Sequence, residues 1–481
     1  MDEKQFVIER VDHIAEDVVS LRDRIFAYAE LPYHETRSAA LLCRVLRQYG
    51  FEVTEGAADI PTCFYGVFTN RPDEGGMTVG FLGEFDALDG LSQQAGCAIK
   101  SPVTEDAPGH GCGHCCLGVG ALAAAVALRE YLIAADKPGT VIYYGCPAEE
   151  GAGAKQFMAR AGLFDRCDFI YAWHPSDRNM VDSTHNNAIM GANFYFKGRA
   201  SHAGATPYLG RSALDAVELM SVGCNYLREH MIPEARIHYA YIDAGGTAPN
   251  VVPDRATVRY EVRAPWVADV KELYERVVRV AEGAAMMTGT TVTPELAMAF
   301  TEYLPNLALS PIVSSAMEEI GAPVWDESDF ALAKAFLESY DDDTKEVIRS
   351  ELRKSFGEDW KSRWERPLDT EVKPFSPADI SFSAGSSDVG DVGCAVPCVN
   401  LLVASACLGN IAHTWQMCGQ VGSSLGAKGM LTAAKMLALS AIRTMAEPDA
   451  VAAAKAEVVA RNGGHYVCPL PDTVKPPIDT Y

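Results

Sequence analysis

Apolar and polar positions alternate along the chain on two scales. Short apolar runs, MTVGFLGEFDA, GTVIYYGCPAEEGAG, CDFIYAWHP and CVNLLVASA, are separated by longer stretches with helical spacing, which predicts an α/β fold with a central sheet and flanking helices. Each run leads into residues able to act as ligands: Glu84 and Asp86 after the first, Glu149 and Glu150 after the second, His174 after the third, and His413 several residues past the fourth. Open α/β sheets bind ligands beyond the carboxyl ends of their strands, so these four loops are expected to meet at one site.

Between residues 188 and 305 the texture changes to strand NFYFKG, helix GRSALDAVELMSVGCNYLREH, strands RIHYAYIDAGG and RATVRYEVRAP, helix DVKELYERVVRVAEGAAMM and strand TTVTPEL. That order is βαββαβ, the ferredoxin-like arrangement. Residues 188–305 therefore read as a domain inserted between two parts of a catalytic domain, 1–187 and 306–481. Residues 328–366 form a charged, helix-rich insertion, expected to be a solvated surface excursion. The tail from Gly463 carries too many prolines for regular structure.

Composition narrows the function. With 48% hydrophobic and 22% charged residues in 481, the chain has the balance of a globular protein with a large core. The start, MDEKQFVIERVDH, lacks the features of a secretory signal, and the apolar run LGVGALAAAVAL stops at Arg129, so no membrane span is expected. A cytoplasmic location follows as the expectation, with the 14 cysteines as thiols rather than disulfides. The 41 basic residues against 64 acidic ones leave a net charge of −23, which opposes nucleic acid and anionic membranes as partners. An anionic substrate would need a local cation.

The stretch GHGCGHCC, residues 109 to 116, sets Cys112 and His114 two residues apart on glycine-flexible backbone ahead of an alanine-rich helix. Thiolate and imidazole together suit a borderline-soft divalent ion such as zinc. Cys112 and Cys115 also give C-x-x-C by count, so a redox reading stays open, while Cys115 and Cys116 are expected to face the helix packing surface and His110 to serve the loop. In PAEEGAG, two adjacent glutamates read either as a solvated loop pair or, in a partly buried crevice, as costly unless a cation accepts them; in the second case one can ligate while the other takes a proton from water. Cys112, His114, Glu150, His174 and His413 supply ligands enough for two ions sharing a water.

GEFDALDGLSQQAG, GHGCGH, PAEEG, AWHP, ASHAGATPYLGRSALDAV, PNVVP, VRAP and AHTW resemble, in order and over nearly the whole chain, the aminoacylase and carboxypeptidase G type of metallopeptidase. The resemblance implies a zinc-peptidase-like catalytic domain with an inserted dimerisation or lid domain. It implies two zinc or manganese ions per subunit on Cys112, His114, Glu150, His174 and His413, with Glu149 as general base and Asp86 supporting the site. His202 would reach the reacting carbonyl, often from a partner subunit, and Asn250 and Arg263 would contact the substrate. A guanidinium is apt there, since it holds a carboxylate through two parallel hydrogen bonds.

The implied activity is hydrolysis of the amide of an N-acyl amino acid, first of all p-aminobenzoyl-glutamate, with indole-acetyl-aspartate as an alternative, by a homodimer or a heterodimer with a homologous subunit. A non-catalytic partner subunit is the rival from another class. The chain departs from many relatives at one position: Cys115 follows His114 where they carry an aspartate, so the group that orients His114 is left open, and a third thiol would favour zinc over manganese.

Overall fold

The computed structural model describes residues 1–480. In chain order its strands are β1 (Glu52–Glu55), β2 (Phe64–Asn70), β3 (Thr78–Glu84), β4 (Gly139–Cys146), β5 (Phe169–Ser176), β6 (Met180–Val181), β7 (Thr184–Asn186), β8 (Ala188–Lys197), β9 (Arg236–Asp243), β10 (Arg255–Ala264), β11 (Thr291–Phe300), β12 (Ser381–Ser383) and β13 (Cys398–Ala404). Seven of them form a mixed sheet in the order β1-β2-β4-β3-β5-β13-β6. The central four, β4, β3, β5 and β13, run parallel, so their carboxyl ends share one edge. These are the four apolar runs of the sequence. Their near-continuous apolar character reflects burial on both faces, the usual state of parallel strands. From β3 the chain goes to β4 on one side and then to β5 on the other, which makes the carboxyl end of β3 a topological switch point.

The helix His114–Ala134 packs against β3 on one side and the helix Ser424–Met445 on the other, and is buried without a break from His114 to Leu128. Glycines at the contact with β3 allow the close approach. A Cβ on Gly118 would lie 2.5 Å from the Glu84 carbonyl, and one on Gly83 would overlap the Tyr143 hydroxyl. That hydroxyl donates to the Gly118 carbonyl at 3.0 Å, tying helix to sheet.

The apolar run ends at Arg129, and the helix that carries it runs on to Ala134; Arg129 lies at its less buried end with the guanidinium over the Phe68 ring at 4.8 Å. His114–Ala134 and Ser424–Met445 are long and apolar enough to cross a membrane by length and composition, and each is largely covered by the protein's own elements.

The segment read as βαββαβ folds that way. β8 to β11 form an antiparallel sheet in the order β11-β8-β10-β9, with the helices Ala213–Leu227 and Val267–Thr288 packed on one face. Phe194, Phe196, Val258 and Val262 point into that helical layer, while Asn193, Tyr195 and Arg263 alternate to the other face.

The charged segment 328–366 departs from the expectation of a solvated excursion. It holds the helices Glu327–Glu338, Asp342–Phe356 and Trp360–Glu365 and has an apolar core of its own, with Ala333, Phe336, Leu337, Ile348 and Leu352 buried against Cys407, Leu408 and Leu425 of the catalytic body. Its charges work at the surface: Asp341 caps the second helix by accepting from the Thr344 amide at 2.9 Å, with Asp342 and Asp343 in the first turn. The tail from Gly463 has no regular element before a short 3-10 turn at Ile478–Thr480. It is pinned where the Tyr466 hydroxyl donates to Asp391 at 2.7 Å and where Leu470 is buried.

Candidate metal centre and active site

Beyond the end of β3, Asp86 is buried and does two jobs. One carboxylate oxygen lies 2.7 Å from His114 Nδ1 and the other accepts the Glu150 backbone N–H at 2.9 Å. Asp86 therefore fixes the His114 ring with Nε2 turned toward Glu84 and ties the His114 helix to the loop after β4. This supplies the orienting acid that Cys115 does not. Cys115 and Cys116 are buried among helices as expected, all 14 cysteines are free thiols, and His110 is a loop residue whose Nε2 pairs with the Ile25 carbonyl at 3.1 Å.

Gly113, at φ 85°, precedes the helix and turns the chain so that Cys112 and His114 face one space. His174 projects from β5, not beyond it; its Nδ1 pairs with the Pro175 carbonyl at 2.8 Å, leaving Nε2 3.3 Å from Cys112 Sγ. His413 adopts φ 59°, a left-handed conformation that costs a non-glycine residue free energy, and its backbone N–H donates to Gly111 at 2.9 Å. Its Nε2 reaches to 3.1 Å from Glu150 Oε1.

The donor atoms of the five expected ligands fall into two overlapping groups, and a third group, Glu84, His114 and Glu149, lies against the first through His114. Those of Cys112, His114 and His174 lie within 4.8 Å of one another, and so do those of Cys112, Glu150 and His413. The thiol of Cys112 belongs to both. Two buried atoms here, His114 Nε2 and Glu150 Oε1, have no hydrogen-bond partner among the described residues, although Glu84 and His413 stand 3.2 and 3.1 Å away. Polar atoms this close without hydrogen-bonding geometry fit a shared cation better than each other. The set of one sulfur, three imidazole nitrogens and one carboxylate suits divalent transition-metal ions.

The two glutamates are driven apart electrostatically. Burial, reinforced by the charges of Glu84, Glu150 and Asp388, pushes Glu149 well above the usual carboxylate range, and the Ser387 hydroxyl donates to it at 3.1 Å. Burial also works against the charge of Glu150, but His413 and His114 outweigh it and hold Glu150 at about 2. One carboxyl can thus carry a proton while its neighbour stays ionised. Burial, with the nearby His114 charge, lowers His174, leaving a neutral imidazole. Burial opposes charge on His114, yet Asp86 and Cys112 keep it well above the ordinary histidine range.

A cavity of about 450 Å³ is lined by Cys112, Glu149, Glu150, His174, His413 and Arg263. Arg263, on β10, donates weakly to Ser386 and Glu261, both at 3.3 Å, and its Nε has no partner among the described residues. His202 and Asn250 lie apart from this cavity. They are exposed on adjoining loops of the inserted unit, where the Ala203 N–H donates to the Asn250 carbonyl at 2.9 Å. The Gly204 and Ala205 amides donate to His202 Nδ1 at 3.2 and 3.1 Å, leaving Nε2 free to serve elsewhere.

Residues without an assigned role in the sequence reading complete the site. Glu84 Oε2 faces His114, and Glu84 Oε1 pairs with Lys155 at 2.6 Å. Lys155 is fully buried in the helix Lys155–Arg160 and pairs also with Asp388 at 2.5 Å; against burial, the two carboxylates hold its pKa above the usual lysine range. A lone lysine in the apolar stretch AGAKQFM was the available signal, since a buried charge requires partners. Lys155→Met leaves Glu84 and Asp388 without a counter-charge and is expected to lower stability by about 3–5 kcal/mol in urea denaturation. A loss below about 1 kcal/mol would show that the triad contributes little.

A profile of "Peptidase family M20/M25/M40" matches residues 80–324. The chain is 38% identical over 477 residues, 98% of each chain, to a subunit of the p-aminobenzoyl-glutamate hydrolase of Escherichia coli (strain K12). Among solved structures it resembles an aminobenzoyl-glutamate utilization protein from Klebsiella pneumoniae, with TM-score 0.60 and 19% identity over 90% of this chain and 97% of that one. It also resembles a dinuclear metal-binding peptidase from Bacillus subtilis, with TM-score 0.57 and 16% identity over 91% and 99%. At these identities the likeness to the solved structures bears on the fold.

Proposed function

The chain belongs to the M20/M25/M40 peptidase family, and from that premise we propose that it cleaves the amide of N-acyl amino acids at a two-metal site, with p-aminobenzoyl-glutamate as substrate. One observation carries this reading: two three-ligand groups share the Cys112 thiol and open on the cavity that Arg263 lines. Divalent cations, zinc or manganese, held by Cys112, His114 and His174 and by Cys112, Glu150 and His413, would supply Lewis acidity toward a water and the substrate carbonyl.

The chain's own residues do the rest. Glu149, buried and poised to exchange a proton, takes one from the attacking water and returns it to the amide nitrogen as the carbon–nitrogen bond breaks. Ser387 orients that carboxyl. Arg263 offers a guanidinium to the carboxylates of the glutamate moiety, a local cation in a chain of net charge −23. The purified chain with manganese is expected to release p-aminobenzoate from p-aminobenzoyl-glutamate; no release, alone or with a homologous chain, would contradict the substrate assignment.

Arg263→Ala is expected to lower kcat/KM for p-aminobenzoyl-glutamate roughly 10- to 100-fold, the loss of charge-assisted hydrogen bonds. Hydrolysis of the corresponding diamide should change much less. Equal losses on both substrates would remove Arg263 from carboxylate recognition.

The same reading gives His202 and Asn250 to a partner's site. What supports it is their exposure away from their own cavity and the open edge strand β9 nearby, with Tyr239, Tyr241 and Ile242 exposed beside Val222 and Tyr226 of the adjacent helix. An identical or homologous chain fits that face.

A further inference from the structure

The proposed reaction leaves the charged insertion without a task. The insertion shares a buried apolar cluster with Cys407 and Leu408, at the start of the loop that carries His413. Ile348 lies flush on Gly409, where a Cβ would overlap the Ile348 Cγ2. The Leu408 amide donates to Pro367, at the insertion's end, at 2.8 Å. Phe336 packs against Trp415, two residues past His413, with the rings tilted by 48° and their centroids 6.4 Å apart.

The polar centre of this contact is the buried hydroxyl of Tyr340, in the turn between the first two helices. It accepts the Ile411 backbone N–H at 3.1 Å and donates to Asn410 Oδ1 at 3.3 Å. Asn410 Oδ1 also accepts from Gln420 at 2.7 Å, and the Gly409 amide donates to Asp177 at 2.8 Å. The loop is thus gripped on both sides immediately before His413, whose left-handed backbone persists only if its surroundings enforce it.

We propose that the insertion is a brace for the His413 loop, with Tyr340 as the positioning residue that sets His413 against Glu150 and Cys112. The inference rests on the two-metal reading of the site. Tyr340 touches neither substrate nor ligand atoms; it acts through the backbone of Ile411 and the side chain of Asn410. Its loss should therefore weaken one ion and spare the other, since only the group of Cys112, Glu150 and His413 depends on this loop.

The test is titration of metal-stripped protein with manganese(II), alongside thermal denaturation. The unaltered chain should bind two ions. Tyr340→Phe, which removes only the hydroxyl, should bind the first as tightly and the second about tenfold more weakly, in the range of losses for groups that orient a ligand. Asn410→Ala approaches the same contact from the loop side and should give the same selective loss, with the double variant little worse than either. Excess manganese should restore activity to both. Equal weakening of both ions, or a lower melting temperature with both affinities unchanged, would overturn the brace alone. Fewer than two ions on the unaltered chain would overturn the two-metal reading and the brace with it.

Discussion

Glu149→Ala is expected to lower amide hydrolysis by at least about a thousandfold, toward the upper end of what a positioned general acid–base contributes, while the chain keeps its fold and two bound ions. The expectation follows from the division of labour between the two glutamates. Glu150 is held ionised by His413 and His114 and shares a donor group with Cys112, whereas Glu149, grouped with Glu84 and His114 away from that thiol, is kept well above the usual carboxylate range by burial and by the acids around it. Among the described residues Glu149 accepts a hydrogen bond from the Ser387 hydroxyl and pairs with no cation, so removing it leaves no buried cation unpaired. The checks are turnover of p-aminobenzoyl-glutamate and metal content on the same sample. Turnover within tenfold of the unaltered chain would remove Glu149 from proton transfer, and loss of metal would make it a ligand.

Cys112→Ala should have the larger effect on metal. Its sulfur is the one donor common to both groups, so a single substitution strips each of a ligand. His174→Ala and His413→Ala are expected to weaken one ion apiece, but Cys112→Ala to weaken both by more than about 100-fold, beyond the range for losing an orienting neighbour. Metal analysis after dialysis should find the variant nearly empty and inactive. Retention of two ions would mean the thiol is a bystander packed beside His174.

The catalytic edge of the sheet is legible in the sequence because three of the four central strands, β3, β4 and β5, announce themselves twice. An apolar run marks a strand buried on both faces, and an acid or histidine at its end marks the crevice. Glu84, Asp86, Glu149, Glu150 and His174 all come from such junctions. β1 and β2 were not recognised: EVTE is a short, mostly exposed edge strand, and β2 pairs antiparallel at the sheet's flank, away from the site. Strand order was beyond reach, since nothing local in β4 records that β3 lies between it and β5.

Long-range polar pairing was the harder part. Asp86 orients His114 from 28 positions away, and Lys155 meets Asp388 across 233. Residue type suggests that a buried charge has a partner but does not say which one. In the insertion, surface charges mask an apolar periodicity carried by Ala333, Phe336, Leu337 and Tyr340, so composition alone suggested solvation where the structure has a core. His202 and Asn250 show the limit of a single chain: the family resemblance puts them at a substrate, and the fold holds them outside their own cavity.

The most direct measurement is anomalous diffraction from crystals of the chain grown with manganese or zinc. Two peaks about 4 Å apart or less, one between Cys112, His114 and His174 and the other between Cys112, Glu150 and His413, are the result expected. A single peak, or density that avoids the Cys112 sulfur, would contradict the two-cation site on which the proposed reaction depends.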